Sequence, residues 1–218
     1  MNDHVEASEQ GARDTFPKIL LDLAAHRADK VAIREKFLGI WQSHTWAQSL
    51  DNVRDLALGL AAHGFARGDK IAIIGDNRPH LYWAVAAAQA LGGVPVPIYQ
   101  DSIVEEMEYV LEHAGVRFVV AEDQEQVDKV LAVRDKVPGI ELIVYKDPRG
   151  MRHYREPGLE WYEDIQKRGR DFHADKPDYF TDEMAKGRGA DLGVMLYTSG
   201  TTGRPKGVML SYDNVIFA

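Results

Sequence analysis

The sequence contains no cysteine among its 218 residues. This excludes disulfide bonds, thiolate nucleophiles and cysteine-ligated metals, and it is compatible with a reducing compartment. No apolar run approaches the roughly 18 residues of a membrane-spanning helix. The start of the chain, residues 1–6, is polar and acidic, unlike a secretory signal. We therefore predict a cytoplasmic protein that contacts membranes at most peripherally.

Basic residues are outnumbered by acidic ones, 26 against 34, which gives a formal net charge of −8. A chain with this excess of negative charge is not expected to bind nucleic acid. The histidines are scattered without the spacing of metal ligands, so no metal site is predicted within the chain. His80 and His113 lie on or beside predicted helices, and we expect them to be surface or capping residues.

Short apolar runs alternate with helical patterns between residues 70 and 145, which is typical of a parallel sheet layered with helices. Two further strands within residues 31–44 are predicted to form a hairpin that turns near Gly39. The predicted fold is therefore α/β: a layered, mostly parallel sheet flanked by helices, with an antiparallel edge hairpin. Residues 146–188 are expected to be a surface excursion from it.

Helix starts are marked by polar residues ahead of several apolar patterns. Thr45 with Gln48 forms a capping box, and Asn77 and Ser102 are expected to cap the helices that follow them. Asp76 follows a buried strand, where α/β folds bind ligands. Helix capping is nevertheless the more frequent role of an aspartate at such a turn.

The most informative stretch lies between two apolar runs, residues 192–197 and 208–210, and reads as a strand, a loop and a strand. The loop is rich in glycine and hydroxyl groups and ends in Lys206. Glycines let backbone N–H groups approach an anion, and successive N–H groups form a nest suited to phosphate oxygens. This composition favours a site for the polyphosphate of a nucleotide, although a flexible hairpin with one solvated lysine has a similar composition.

The order of residues in this loop distinguishes it from a Walker A motif. There a glycine precedes the lysine and Ser or Thr follows it, whereas Pro205 and Gly207 flank Lys206. The string YTSGTTGRPKG at residues 197–207 closely resembles the phosphate-loop signature of the adenylate-forming (AMP-binding) superfamily. Weaker patches resemble its bacterial long-chain fatty acyl-CoA ligase branch; they are residues 39–42, 45–46, 68–79, 92–97 and 121–126.

The resemblance implies a ligase that joins a fatty acid to ATP, forms an acyl-adenylate, and then transfers the acyl group to coenzyme A. Lys206 would be the catalytic residue, since it would neutralise charge on the departing pyrophosphate. The expected substrates are the fatty acid, ATP and coenzyme A, with Mg²⁺ bound by residues outside this sequence. The residues expected to hold the phosphates are Thr198, Ser199, Gly200, Thr201, Thr202, Gly203 and Lys206.

The resemblance also implies that the chain is the N-terminal fragment of a longer enzyme. Residues 1–14 would be a mobile N-terminus, and residues 15–218 would be the N-terminal portion of the AMP-binding large domain. Such a fragment would be inactive alone, and we expect it to self-associate through the truncated face or to be partly disordered after about Arg188. The alternatives are a stand-alone phosphate- or nucleotide-binding module, or another adenylate-forming enzyme such as an aryl-CoA ligase or a peptide-synthetase adenylation domain.

Overall fold

The computed structural model describes residues 13–198 and 204–217 of the chain. Helices and strands alternate through most of this part, as the sequence predicts. The elements are α1 (Phe16–His26), β1 (Val31–Phe37), β2 (Ile40–Thr45), α2 (Trp46–Ala62), β3 (Lys70–Ile74), α3 (Pro79–Ala90), β4 (Val94–Ile98), α4 (Val104–Ala114), β5 (Val116–Ala121), α5 (Gln124–Val133), β6 (Leu142–Tyr145), a 3₁₀ turn (Met151–His153), β7 (Leu159–Trp161), α6 (Tyr162–Asp175), α7 (Tyr179–Ala185), β8 (Leu192–Thr198), β9 (Lys206–Ser211) and α8 (Tyr212–Ile216).

The central sheet has five parallel strands in the order β4-β3-β5-β6-β7. The chain steps outward from β3 to β4 and then crosses back past β3 to β5. This reversal places α2, α3 and α6 on one face and α4 and α5 on the other. It also opens a crevice at the carboxyl ends of β3 and β5, where open α/β sheets bind ligands. The predicted fold class is confirmed.

Strand β3 shows why the central strands are apolar without alternation. Ile71 and Ile73 belong to the core on one face, and Ala72 and Ile74 belong to the core on the other. All four side chains are buried. A strand covered by helices on both sides has no polar face, so its sequence is continuously apolar.

The prediction that residues 146–188 are a surface excursion is wrong. Strand β7 adds the fifth strand of the sheet, and α6 packs lengthwise on α2. The two helices approach so closely that a Cβ on Gly59 or Gly169 would overlap the backbone of the other helix. Tyr162 and Ile165 are fully buried in this contact. Buried residues such as these are few in α6 and most of its other residues are charged or polar, so its sequence resembles that of an exposed helix.

The hairpin of β1 and β2 is confirmed, with Leu38 and Gly39 as its turn, but it does not join the parallel sheet. It forms a two-stranded sheet of its own that contacts α2 and α3. The capping box of Thr45 and Gln48 at its end is present, with both hydrogen bonds made.

Two predicted helix caps are wrong. The helices begin after Arg78 and Ile103, and neither start has a side-chain cap. Proline at the first position of α3 fixes its start, so Asn77 lies one residue too early; its Oδ1 accepts a hydrogen bond from the Tyr82 hydroxyl at 3.4 Å instead. In α4 the acidic residues of the first turn interact favourably with the free N–H groups. They stabilise the start of the helix, which was the role expected of Ser102 as a cap.

The second hairpin, β8 and β9, lies beside β4 at the end of the parallel sheet. The buried Gln89 side chain of α3 donates from Nε2 to the Gly193 carbonyl at 2.8 Å. Met195 enters the core under α4 and α5. The strand–loop–strand prediction is therefore confirmed for the strands on both sides of the loop.

The beginning of the chain was expected to be mobile through residue 14, and residues 1–12 lie outside the described part. Within it, Asp14 pairs with Lys18 at 2.8 Å and accepts a hydrogen bond from the Gly189 backbone at 3.0 Å. Among the residues that the structure describes, no helix combines the length and apolar character needed to cross a membrane.

Candidate functional site

The two ends of the predicted phosphate loop are brought together by the β8–β9 hairpin. Thr198 and Lys206 are directly opposed partners at the loop end of the hairpin, and both side chains are exposed. The remaining predicted residues, Ser199, Gly200, Thr201, Thr202 and Gly203, lie outside the described residues. The structure thus places a hydroxyl and an ammonium group at the same end of one hairpin. Phosphate binding by the loop stays a prediction.

Tyr197 fixes the β8 side of this loop against α4. Its hydroxyl forms a 2.7 Å hydrogen bond with Nδ1 of His113. Tyr109 stacks on the His113 ring, with centroids 5.3 Å apart, and meets the Tyr197 ring edge-on at 6.5 Å. Burial, and secondarily Tyr109, raise the pKa of Tyr197, so its hydroxyl stays neutral and available for the hydrogen bond.

Arg204 fixes the β9 side of the loop against the same helix. Its guanidinium group lies over the Tyr109 ring, 5.4 Å from the centroid, in a cation–π arrangement. Four glutamates of α4 line the surface around it: Glu105, Glu106, Glu108 and Glu112. The acidic face of α4 thus has a cationic neighbour from a distant part of the sequence.

Tyr109 and His113 are functional-site candidates that sequence reasoning did not single out together. His113 is exposed, as expected, but it also carries the contact to Tyr197. The available signal was the i, i+4 spacing of the two rings, which places them side by side on one helix face. Their partners come from distant parts of the sequence, and no local pattern specifies that pairing.

A cleft of about 520 Å³ opens next to Thr198, at the carboxyl ends of β3, β4 and β8. A second cleft of about 350 Å³ lies on the other side of Thr198 and Tyr99, against α4. The first cleft combines an apolar floor with a polar rim. Its lining residues are Ile73, Gly75, Asp76, Asn77, Leu81, Tyr82, Val85, Pro97, Ile98, Tyr99, Gln100, Asp101, Leu196, Tyr197 and Thr198.

Asp76 lines this cleft and does not cap α3, so the more frequent role of aspartate at such a turn is not the one observed. Its backbone N–H donates to a carboxylate oxygen of Glu122, which follows the neighbouring strand β5. The other oxygen of Glu122 accepts from Arg78 Nε at 2.7 Å. Arg78 in turn lies 3.6 Å from Glu35 of the first hairpin. This charged network links the ends of β3 and β5 to the first hairpin.

His80 contradicts the expectation of a surface or capping residue, since only 7% of it is exposed. Burial, followed by the charges of Lys146 and Arg78, lowers its pKa to about 3, so the ring is neutral. It meets Tyr162 edge-on, with centroids 6.2 Å apart, and within the described residues its Nε2 has no hydrogen-bond partner. The burial depends on α6, which the sequence did not predict to pack here.

No group of three or more His, Asp or Glu side chains in the described ranges 13–198 and 204–217 is arranged to hold a metal ion. Two of the carboxylates in these ranges are paired with cations: Glu122 with Arg78 at 2.7 Å, and Glu108 with Lys136 at 2.7 Å.

The chain is similar to curated ligases over most of its length. It is 32% identical over 203 residues to the long-chain-fatty-acid–CoA ligase ACSBG2 of Xenopus laevis, covering 92% of this chain and 26% of the relative. It is 28% identical over 211 residues to the long-chain-fatty-acid–CoA ligase FadD15 of Mycobacterium bovis, covering 94% of this chain and 32% of the relative. The chain therefore spans about a quarter to a third of these relatives.

Solved structures share the fold. The anthranilate CoA ligase AuaEII, solved in complex with anthranoyl-AMP, superposes with a TM-score of 0.76 at 22% identity, covering 94% of this chain and 36% of that one. The adenylation domain of a carboxylate reductase from Mycobacterium chelonae gives a TM-score of 0.74 at 18% identity, covering 96% and 36%. Residues 21–218 match the family described as AMP-binding enzyme, to which this chain belongs.

Proposed function

We propose that this chain supplies the phosphate-binding hairpin of a long-chain fatty acid–CoA ligase acting in the cytoplasm. In the first step the fatty acid carboxylate attacks the α-phosphorus of ATP, and pyrophosphate leaves. In the second step the thiol of coenzyme A attacks the acyl carbon, and AMP leaves. Family membership and the two ligase relatives support this choice.

The observation that carries the proposal is the pairing of Thr198 with Lys206 beside the cleft at the carboxyl ends of β3 and β4. It sets a hydroxyl donor and a mobile positive charge at the carboxyl-terminal edge of the sheet, which is the edge on which open α/β sheets bind ligands. Lysine acts as a point charge that can follow phosphate oxygens as they move. Such a group stabilises pyrophosphate most when negative charge builds up on it as the bond to the α-phosphorus breaks.

The rest of the hairpin holds these groups in position. Tyr197 and Arg204 fix both ends of the loop on α4, so little ordering of the loop ends would be needed when ATP binds. Positioning and electrostatic stabilisation are the main contributions that proteins make to transfers of phosphoryl type. Mg²⁺ would supply further charge neutralisation when bound with ATP, and we expect its ligands outside the 218 residues.

The test is carboxylate-dependent exchange of labelled pyrophosphate into ATP by the whole polypeptide that the gene encodes. We expect exchange with long-chain fatty acids, and little with aromatic acids or amino acids, which would instead indicate an aryl-CoA ligase or a peptide-synthetase adenylation domain. Pyrophosphate binding without exchange on any carboxylate would contradict the enzyme and support a binding module.

The 218 residues alone provide a second measurement. We propose that the groups that bind adenine, ribose and Mg²⁺ lie outside them, so the isolated chain should form no acyl-adenylate. Acyl-adenylate formation by the purified 218-residue chain would contradict this part of the proposal.

A further inference from the structure

The tip of the β1–β2 hairpin carries the most exposed group of large apolar side chains in the described part of the chain. Leu38 is 84% exposed, Ile40 and Trp41 are each 65% exposed, and Phe37 is 50% exposed. The four residues surround one turn: Phe37 and Ile40 lie on one face of the hairpin, Trp41 lies on the other, and Leu38 lies at the tip. Scattered exposed apolar residues are ordinary on protein surfaces, whereas a contiguous patch marks an interaction site.

The turn itself holds an unfavourable residue. Phe37 pairs with Ile40, so Leu38 and Gly39 form a two-residue turn, with φ values of +47° and +82°. Positive φ at both positions is the pattern of type I′ turns, in which asparagine or aspartate is preferred before glycine. Leucine is strained in this conformation and is solvated here. Folding of the hairpin therefore does not account for leucine at this position.

Basic side chains flank the apolar tip on its outer face. The register pairs Lys36 with Trp41 and Arg34 with Ser43, so both cations and the indole lie on one face. Glu35 lies on the opposite face, where it meets Arg78. Residues 30–45 contain three basic residues and one acidic residue, a local charge of 3 − 1 = +2 on a chain of net charge −8.

We propose that this hairpin tip docks on an anionic phospholipid surface. Phe37, Leu38 and Ile40 would enter the boundary between headgroups and acyl chains, and Trp41 would lie at headgroup depth, which tryptophan prefers. Arg34 and Lys36 would contact the phosphates. This inference does not rest on the proposed function, because no step of it involves ATP or acyl transfer.

A second copy of the chain is the competing occupant, and charge argues against it. A two-fold dimer through this tip would bring the same surface of both copies together, with their cations facing each other. Four side chains on one convex turn are also far fewer than the roughly 20 residues that each partner contributes to a standard interface. A negatively charged lipid surface has neither disadvantage.

Co-sedimentation of the whole polypeptide that the gene encodes with vesicles tests the proposal. One set of vesicles contains phosphatidylcholine alone, and the other contains equal parts of phosphatidylcholine and phosphatidylglycerol. We expect binding to the anionic vesicles, weakened by added salt, and much less binding to the neutral ones.

Leu38→Asn is the decisive variant, because asparagine suits the turn and should preserve the hairpin while removing the apolar tip. We expect about tenfold weaker vesicle binding, since one leucine transferred from water contributes about that factor. Lys36→Glu should weaken binding to the anionic vesicles by about tenfold or more. The matched controls are Met209→Asn on β9 and Lys167→Glu on α6, which remove an exposed apolar side chain and a lysine elsewhere and should bind as the wild type does.

Any of three vesicle results would overturn the proposal: the wild type does not sediment with the anionic vesicles, Leu38→Asn and Lys36→Glu bind as tightly as the wild type, or the controls lose binding to the same extent. Analytical ultracentrifugation without vesicles addresses the competing occupant. A dimer that Leu38→Asn dissociates would assign the tip to a second copy of the chain instead.

Discussion

The two antiparallel hairpins of this protein differ in how they are held. The β1–β2 hairpin turns within two residues, is anchored at its base and ends in exposed apolar side chains. The β8–β9 hairpin encloses the longer connection of residues 199–205, lies against β4 and is fixed to α4 at both ends of that connection. We infer that the β1–β2 hairpin presents a binding surface and that the β8–β9 hairpin holds chemical groups in fixed positions.

The largest expected effect compares one aromatic residue from each hairpin. Tyr197→Ala removes a half-buried ring, its hydrogen bond with His113 and its contact with Tyr109, and should lower the free energy of unfolding by about 2–3 kcal/mol. Trp41→Ala removes a ring that is mostly exposed and should change it by no more than about 0.5 kcal/mol. Urea unfolding followed by circular dichroism measures both. Equal losses would mean that the two hairpins are held alike.

A smaller effect is expected from the polar contact that ties β8 to α3. Gln89→Leu leaves the Gly193 carbonyl without its buried donor and should cost about 1–2 kcal/mol of unfolding free energy. Gln42→Leu, on the exposed β2 strand, is the matched control and should stay within about 0.5 kcal/mol of the wild type. If Gln89→Leu were as stable as Gln42→Leu, the hydrogen bond between Gln89 and Gly193 would not stabilise the protein.

The region below the first hairpin should respond to pH through His80. Its folded pKa of about 3 lies below the ordinary 6.5, because burial, Lys146 and Arg78 outweigh Asp147. Between these values the unfolded chain binds the extra proton, so stability falls as pH falls from 6.5 towards 3. The slope attributable to His80 is at most about 1.4 kcal/mol per pH unit.

His80→Gln provides the reference for that slope, because carboxylates elsewhere also titrate in this range. The wild type should lose stability more steeply than the variant between pH 6.5 and pH 4 in denaturant titrations. Parallel curves would show that His80 is not buried in its neutral form.

The smallest expected effect has the opposite sign. Leu38→Asn replaces a strained residue in the β1–β2 turn and should raise the free energy of unfolding by about 0.5 kcal/mol. Thermal unfolding measures this change, and a clear loss of stability would mean that Leu38 packs in solution. A gain in stability would support the difference between the two hairpins. It would show that leucine at the tip of the β1–β2 hairpin is not there for folding stability.

Local patterns predicted much of the fold. The apolar runs of β3 and β5 were sufficient to predict the parallel sheet, and the Thr45 capping box was sufficient to predict where α2 starts. The signature at residues 197–207 is sufficient to identify the family without any geometry. In each case the determining residues are adjacent or a few positions apart, so the sequence displays them directly.

The missing parts depend on contacts between distant residues. Helix α6 reads as polar because only a narrow stripe that includes Tyr162 and Ile165 is buried, and the glycines that admit it lie on two different helices. His80 is buried by that same helix, 82 positions away in the sequence. Its environment cannot be predicted without the packing of α6, and the contact of His113 with Tyr197 is equally long-range.

The central claim is that the β8–β9 hairpin exists to hold the phosphates of ATP, with Lys206 as its charge. The most direct measurement is fatty-acid-dependent ATP–pyrophosphate exchange by the whole polypeptide carrying Lys206→Met, with Lys167→Met on α6 as the matched control. The account predicts that Lys206→Met slows exchange by about a hundredfold or more, as removal of a charge-stabilising donor does, and that the control exchanges at the wild-type rate. Equal exchange rates in the two variants would contradict it.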